Sequence, residues 1–283
     1  MPEVSKPTVM MEGIGLGESP RWHEGRLWFS DWVAHEVIAL DQDGGHDVMA
    51  RVDAFPFSID WLPDGPMLIT AGRELLRMEP DGSLVTHVDL SDLSDFGWNE
   101  IVVDGRGNAY VNGPGFDMMA GGDFAPGTIA IVRPDGSAEQ VAGGVAFPNG
   151  MAVTPDDSTL IVADSYAKEL TAFDIGGDGT LTNRRRWAHL GEGTPDGICI
   201  DVEGAVWYAD VPNRRYTRVA EGGETLDVLE ADRGCFACML GGEDGRTLFM
   251  NSAEWNGPEG IFREPRTGQV LAVEAPAAHA GRP

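Results

Sequence analysis

Six segments of the sequence begin a short hydrophobic run in the same way, and this repetition constrains the fold more than any other feature. In each of the first five segments, an apolar residue lies four positions after the start and another lies seven positions further on, without a gap. The turns between them read HEGR, LPDG, DGRG, TPDD and DVEG, and they carry residues that tight turns require. The starting residues, called the register positions, are Glu18, Phe57, Asn99, Asn149, Asp196 and Phe236.

A second repeat follows the second hydrophobic run of each segment, where the chain reads WFSD, YVNG or a similar small-residue end. These ends lie at Asp31, Ala71, Asn112, Asp164, Asp210 and Asn251, which are 40, 41, 52, 46 and 41 residues apart. A third run follows each end, reading VIALD, LLRME, TIAIV, LTAFD, YTRVA and GIFRE. Short strands repeated every 40 to 50 residues or so are typical of propeller blades. The sequence therefore predicts an all-β fold, a six-bladed β-propeller that forms a single domain over residues 1–283.

A closed ring of blades needs its two ends joined, because an open sheet edge exposes unpaired N–H and C=O groups. We expect the segment from Thr8 to Met11 to pair with the last blade, beside the strand-like QVLAVEA at Gln269 to Ala275.

The charge balance excludes several classes of partner. The chain has 46 acidic and 20 basic residues, a net charge of −26. This argues against nucleic acid, whose phosphates are bound by Lys and Arg, and against anionic membrane surfaces. The sequence also contains neither a signal peptide pattern nor an apolar run long enough to span a membrane. We therefore expect a cytoplasmic protein that acts on a small molecule, in an oligomeric state that the sequence leaves open.

Common catalytic motifs do not fit the sequence. GIGLGE at Gly13 to Glu18 lacks the strand, helix and final Gly of a dinucleotide site, and GxSxG, HExxH and P-loop motifs are missing. Cys235 and Cys238 form a CxxC pair, but a zinc site normally needs a second pair. With Cys199 they make an odd number, so we expect reduced thiols packed in the core.

Strand direction gathers the register positions on one face of a propeller. If each first strand runs away from that face, the loop after the second strand returns to it, as do the links between blades. Trp32, Phe124 and the long loop from Gly113 to Gly127 should then surround the mouth, the loop acting as a lid or wall. The residues predicted to line the substrate pocket are Phe57, Trp98, Phe116, Met118, Met119, Tyr166, Phe236 and Trp255, whereas Trp22, Trp28, Trp61 and Trp207 are assigned to packing within blades.

Four of the six register positions carry oxygen ligands. Glu18, Asn99, Asn149 and Asp196 offer two carboxylates and two amide carbonyls, and calcium accepts such mixed shells with water completing them. The sequence predicts one divalent cation in a central channel. Calcium is favoured because His and Cys are absent from these positions, although zinc, manganese or magnesium could also bind.

These residues lie in motifs that resemble a known family. GESPRW around Glu18, WNE around Asn99, PNGMAV around Asn149 and PDGICID around Asp196 resemble the gluconolactonase, regucalcin and luciferin-regenerating-enzyme family of six-bladed propellers. The resemblance spans nearly the whole chain and implies that Glu18, Asn149 and Asp196 are metal ligands, while Asn99 contacts the metal shell or the substrate. The set is also similar to that of the related diisopropyl fluorophosphatase. One departure is Gly97, where sugar-lactone enzymes of the regucalcin type tend to have Arg.

The leading functional hypothesis is metal-dependent hydrolysis of a lactone that is less sugar-like, or more apolar, than gluconolactone. Asp196 would act as general base and Asn99 would orient the substrate, while Glu18 would be the more structural ligand. Three alternatives stay open at this point: an esterase or phosphotriesterase using the same metal site, a non-hydrolytic metal-dependent enzyme, and a binding propeller without catalysis.

Overall fold

Short apolar strands separated by turns build a ring of six blades. The computed structural model describes residues 6–280, and within them six four-stranded antiparallel sheets form. The first strands of successive blades contact one another around a central axis, and the contacts return from the sixth blade to the first. The predicted six-bladed β-propeller is therefore confirmed. The predicted single domain also includes residues 1–5 and 281–283, which lie outside the described residues.

The first half of the ring follows one N-terminal strand, β1 (Thr8–Ile14). Blade one contains β2 (Gly17–His23), β3 (Arg26–Asp31), β4 (Glu36–Leu40) and β5 (His46–Arg51). Blade two contains β6 (Ile59–Trp61), β7 (Met67–Ala71), β8 (Glu74–Met78) and β9 (Leu84–Asp89). Blade three contains β10 (Glu100–Val103), β11 (Ala109–Gly113), β12 (Gly127–Val132) and β13 (Ala138–Val145).

The second half repeats this order until the last blade. Blade four contains β14 (Pro148–Val153), β15 (Thr159–Asp164), β16 (Glu169–Ile175) and β17 (Leu181–His189). Blade five contains β18 (Pro195–Ile200), β19 (Val206–Asp210), β20 (Arg215–Val219) and β21 (Thr225–Glu230). Blade six contains β22 (Gly234–Gly241), β23 (Thr247–Ala253) and β24 (Gly268–Glu274), with β1 as its outer strand. None of the helices in residues 6–280 is long and apolar enough to cross a membrane.

The ring is closed by the N-terminal strand. β1 pairs antiparallel with β24, with Val9 opposite Leu271 and Met11 opposite Val270, which confirms the predicted closure. The prediction that GIFRE forms the third strand of blade six is wrong, because β24 takes that place. GIFRE instead follows a single 3-10 turn at Pro258–Gly260. Pro258 and Pro265 bracket this segment and lack the N–H groups that a ladder needs.

Aspartates at the ends of second strands hold the links that lead into the blades. The Asp31 carboxylate accepts hydrogen bonds from the backbone N–H groups of Gly15 and Leu16 at 2.9 and 3.2 Å. Asp164 accepts them from Ala146 and Phe147 at 2.9 and 3.0 Å. These two links are therefore fixed to the second strand of the blade that they enter, two and three residues before the register positions Glu18 and Asn149.

The four tryptophans and three cysteines assigned to packing do pack between strands. Trp28 and Trp207 are buried, and Trp22 stacks on Phe249 with ring centroids 5.4 Å apart, while Trp61 stacks on His23 at 4.2 Å. All three cysteines are buried and free. Burial raises the pKa of the Cys235 thiol to about 12, so this thiol stays protonated and unreactive near neutral pH.

The first strands of blades four, five and six approach one another so closely that side chains do not fit between them. A Cβ atom on Gly150 would lie 2.6 Å from the carbonyl oxygen of Asp196, and one on Gly197 would lie 2.6 Å from the Cβ of Ala237. The residue after the register position must therefore be small in these blades.

Substitution of Gly150 by Ala should reveal this close approach. Because the added methyl meets backbone that cannot move alone, we expect the free energy of unfolding to fall by about 1 to 3 kcal/mol in chemical denaturation. Gly177→Ala is the matched control, since its Cβ would meet nothing within 4 Å. Equal stability of the two variants would contradict the proposed steric limit.

Candidate functional site

Four register residues line one cavity at the end of the ring where the first strands begin. Glu18 lies in β2, Asn149 in β14 and Asp196 in β18, while Asn99 comes directly before β10. All four border a cavity of about 720 Å³. The rotational repeat thus brings together residues that lie far apart in the sequence.

Hydrogen bonds fix the two amide side chains of the set. Asn99 Nδ2 donates to Asn149 Oδ1 at 3.5 Å, and the Asn149 side chain hydrogen-bonds Asp196. The backbone is held as well: Ser58 Oγ donates to the Asn99 carbonyl at 2.7 Å, and Asn112 Nδ2 donates to the Asn149 carbonyl at 2.6 Å. The donors and acceptors of the site are therefore pre-oriented towards one another.

The two carboxylates of the set repel each other in surroundings poor in water. Burial raises the pKa of Glu18 well above its usual value, and the negative charges of Asp196 and then Glu100 add to the effect. Burial, followed by the charge of Glu100, also raises the pKa of Asp196. A cation between the two carboxylates would remove this repulsion.

The donor chemistry fits a hard divalent cation. Within residues 6–280, no cluster of three or more His, Cys, Asp or Glu side chains is placed to hold a metal. The candidate set has two carboxylates, and the amide oxygens of Asn99 and Asn149 complete it. Such an all-oxygen set suits calcium, magnesium or manganese better than a soft metal.

Aromatic side chains form two walls above these oxygen atoms. On one side, Phe147 and Tyr166 stack with centroids 4.7 Å apart, and Phe116 lies 6.0 Å from Phe147. On the other, Phe236 and Trp255 meet edge to face at 5.8 Å. Among the described residues that line the cavity, none is Lys or Arg. The site therefore combines an acidic floor with apolar walls.

Six of the eight residues predicted to form the pocket do border the cavity: Phe116, Met118, Met119, Tyr166, Phe236 and Trp255. Trp32 also borders it, and the loop after β11 contributes wall residues. Phe124 lies behind this wall, 5.7 Å from Phe116 between ring centroids.

The placement of Phe57 and Trp98 in the pocket is wrong. Both side chains are fully buried, Phe57 in the core shared by blades one and two and Trp98 in the core shared by blades two and three. Trp98 directly precedes Asn99, and successive side chains of an extended strand point to opposite faces, so the indole turns away from the cavity. Phe57 gains more from packing beside Trp28 and Ile59 than from lining a polar site.

A ring of wall residues, which lie two positions before the register positions, was not predicted from the sequence. Five of the six equivalent positions border the cavity, and they are Leu16, Phe55, Gly97, Phe147 and Thr194. The signal was present in the sequence, because a strand with period two sends residues two apart to the same face. Ile261 was also missed, because GIFRE was assigned to a strand.

The sequence matches a known family over most of its length. The family described as SMP-30/Gluconolactonase/LRE-like region matches residues 16–254. The chain belongs to this family. Among curated members, a regucalcin from Gallus gallus is 29% identical to it over 284 residues, 94% of each chain. A pentonolactonase from Haloferax volcanii is 27% identical over 240 residues, 76% of this chain and 80% of its own.

Solved structures of the family share the fold of this SMP-30/gluconolactonase-like protein. A calcium-binding protein, regucalcin from Agrobacterium tumefaciens, superposes with a TM-score of 0.80 at 20% identity. The alignment covers 98% of this chain and 95% of the other. At this identity the similarity shows only the six-bladed propeller fold. The chemistry must be inferred from the residues of the site.

The electrostatics of Glu18 and Asp196 predict how pH and metal affect stability. Because folding raises the pKa of both carboxyls, the metal-free folded state binds protons more tightly than the unfolded chain, and its stability should fall as pH rises above the usual carboxyl range. We expect the melting temperature in chelator to drop between about pH 5 and pH 8, and calcium or manganese to restore it.

Asp196→Asn should reduce both the fall in melting temperature with pH and the stabilisation by metal, because it removes one of two mutually repelling carboxylates and one ligand. Asp95→Asn is the control, since Asp95 is an exposed carboxylate at the cavity mouth. A wild-type pH slope and an undiminished calcium shift in Asp196→Asn would count against a cation site at this position. Melting followed by circular dichroism gives the measurement.

Proposed function

We propose that this protein is a metal-dependent hydrolase that opens a lactone ring, with a substrate less sugar-like and more apolar than gluconolactone. The proposal is carried by one observation: two carboxylates and two amides converge at the floor of a single cavity with aromatic walls. The name of the pentonolactonase relative supports lactone hydrolysis as the reaction.

Glu18, Asn149, Asp196 and Asn99 would hold the cation. Calcium is the first candidate, given the all-oxygen donor set and the calcium-binding relative, and zinc, manganese or magnesium are the others. When bound, such a cation polarises the substrate carbonyl and lowers the pKa of a nearby water molecule.

The remaining steps belong to side chains of this chain. Asp196 accepts the proton of the attacking water, and the same proton passes to the ring oxygen as the C–O bond of the lactone breaks. The Asn99 side chain orients the substrate. The aromatic walls exclude bulk water and strengthen each electrostatic contact at the floor. The product is an open hydroxy acid.

Asp196→Asn should lower kcat by at least about a thousandfold, because the general base and one metal ligand are lost together. A panel of sugar, aliphatic and aromatic lactones, run with metal-stripped and metal-restored protein, provides the measurement. Asp95→Asn should retain activity. Full lactonase activity in Asp196→Asn would refute the assigned role of Asp196. Faster hydrolysis of aryl esters or phosphotriesters than of any lactone would assign the site to those substrates instead.

Substrate preference should depend on Gly97, one member of the ring of wall residues. A Cβ atom there would lie 3.4 Å from the Gly72 carbonyl oxygen, which is ordinary contact, so the backbone accepts a side chain at this position of the cavity border. Gly97→Arg would add a guanidinium that donates two hydrogen bonds to sugar hydroxyls. We expect the ratio of kcat/KM for sugar lactones to that for aromatic lactones to rise about tenfold, whereas the control Gly97→Ala leaves it unchanged. An unchanged ratio in Gly97→Arg would show that Gly97 does not set the preference.

A further inference from the structure

A third carboxylate lies next to the candidate cation site, and it is paired with an arginine. Glu100 follows Asn99 directly and is the first residue of β10. Its Oε1 accepts a hydrogen bond from Arg21 Nη2 at 3.1 Å. Arg21 lies in β2, three residues after Glu18. Each partner of this ion pair is therefore attached to a strand that also positions a candidate ligand.

The ion pair is enclosed on every side. The side chains of Arg21 and Glu100 are only 6% and 8% exposed. Ser19 Oγ and the Ile101 N–H also donate to Glu100 Oε1, at 3.1 and 2.9 Å. Arg21 donates further to the Ile101 carbonyl at 2.6 Å, and Asp60 lies 3.8 Å from its Nε. The guanidinium is thus held in one position by several partners.

Glu100 lies directly beside two of the candidate ligands. It follows Asn99 in the chain, and its Oε1 accepts a hydrogen bond from Ser19, the residue after Glu18, at 3.1 Å. The negative charge of Glu100 also raises the pKa of both Glu18 and Asp196. The equivalent residues in blades four, five and six are Gly150, Gly197 and Ala237, which carry no carboxylate.

We propose that Arg21 is a positioning residue that holds Glu100 out of the ligand set and offsets its charge. The candidate site consequently presents the charge of two carboxylates to the cation instead of three. This inference rests on the proposed metal site and concerns the affinity of that site. Neither Arg21 nor Glu100 borders the cavity, so neither is a catalytic residue.

The proposal predicts opposite effects for the two partners of the ion pair. Glu100→Gln removes a negative charge beside the site and leaves Arg21 positive, so a divalent cation should bind more weakly. Arg21→Gln releases Glu100 as an additional carboxylate, so the cation should bind more tightly. An ion pair with a purely structural role would instead weaken binding in both variants, because either change would loosen the same strands.

Isothermal titration of chelator-treated protein with calcium chloride, repeated with manganese chloride at the same pH, tests this. We expect Glu100→Gln to raise the Kd about tenfold and Arg21→Gln to lower it by at least threefold. The double variant should return to within about threefold of the wild type, because both charges are removed together.

The double variant keeps the test decisive if Arg21→Gln alone does not fold, since it leaves one fewer buried carboxylate without its arginine. Asp60, the other acidic neighbour of Arg21, keeps its hydrogen bonds from the Trp61 and Val103 N–H groups. Addition of Arg21→Gln to Glu100→Gln should then restore affinity. A double variant that binds as weakly as Glu100→Gln, or more weakly, would overturn the role of Arg21 while leaving the metal site in place. Absence of cation binding in the wild-type protein would instead overturn the proposed metal site, and this inference with it. Circular dichroism in chelator confirms that each titrated variant is folded.

Discussion

Hydrogen bonds from aspartate carboxylates to the links that enter blades one and four fix the positions from which Glu18 and Asn149 reach the cavity. Asp31 and Asp164 each accept backbone N–H groups from a link that leads directly to a register residue. A carboxylate with several backbone donors is a strong anchor, because charge-assisted bonds are stronger than neutral ones. Glu18 and Asn149 belong to different blades, and their fixed links place both at the border of the same cavity. Many of the chain's acids are turn residues at the surface, but Asp31 and Asp164 hold backbone beside the cavity.

The floor and the walls of the cavity differ in their chemistry. Its floor carries two carboxylates and two amide oxygens, a set that suits a cation, while its walls are aromatic and contain neither Lys nor Arg among the described residues. A neutral, apolar ester can enter such a space. The buried pair of Arg21 and Glu100 lies beside this floor and belongs to its charge balance. The floor thus suits a cation, and the walls suit an uncharged substrate.

The repeat predicted the ring, its closure through β1 and the convergence of Glu18, Asn99, Asn149 and Asp196, because these follow from strand spacing and direction alone. The errors arose where side-chain direction decides the outcome. Trp98 was placed in the pocket although its neighbour Asn99 faces the cavity, and alternation sends the two to opposite sides. The same alternation would have revealed Phe147 and Thr194. The GIFRE segment was misassigned because its hydrophobic pattern resembles a strand, and the prolines around it exclude one. The Arg21 pairing could not be predicted, since Arg21 and Glu100 lie three residues and one residue after their register positions, and the repeat aligns only equal positions.

Closure of the ring by β1 has a consequence for how the site and the fold depend on each other. The strand that fastens the sixth blade ends at Ile14, and Glu18 follows it after three residues. Between them, Gly15 and Leu16 are held by the Asp31 carboxylate of β3, so a local opening that separates β1 from β24 meets this anchor before it reaches Glu18. The outer edge of the sixth blade can therefore open while the carboxylate stays at the cavity floor.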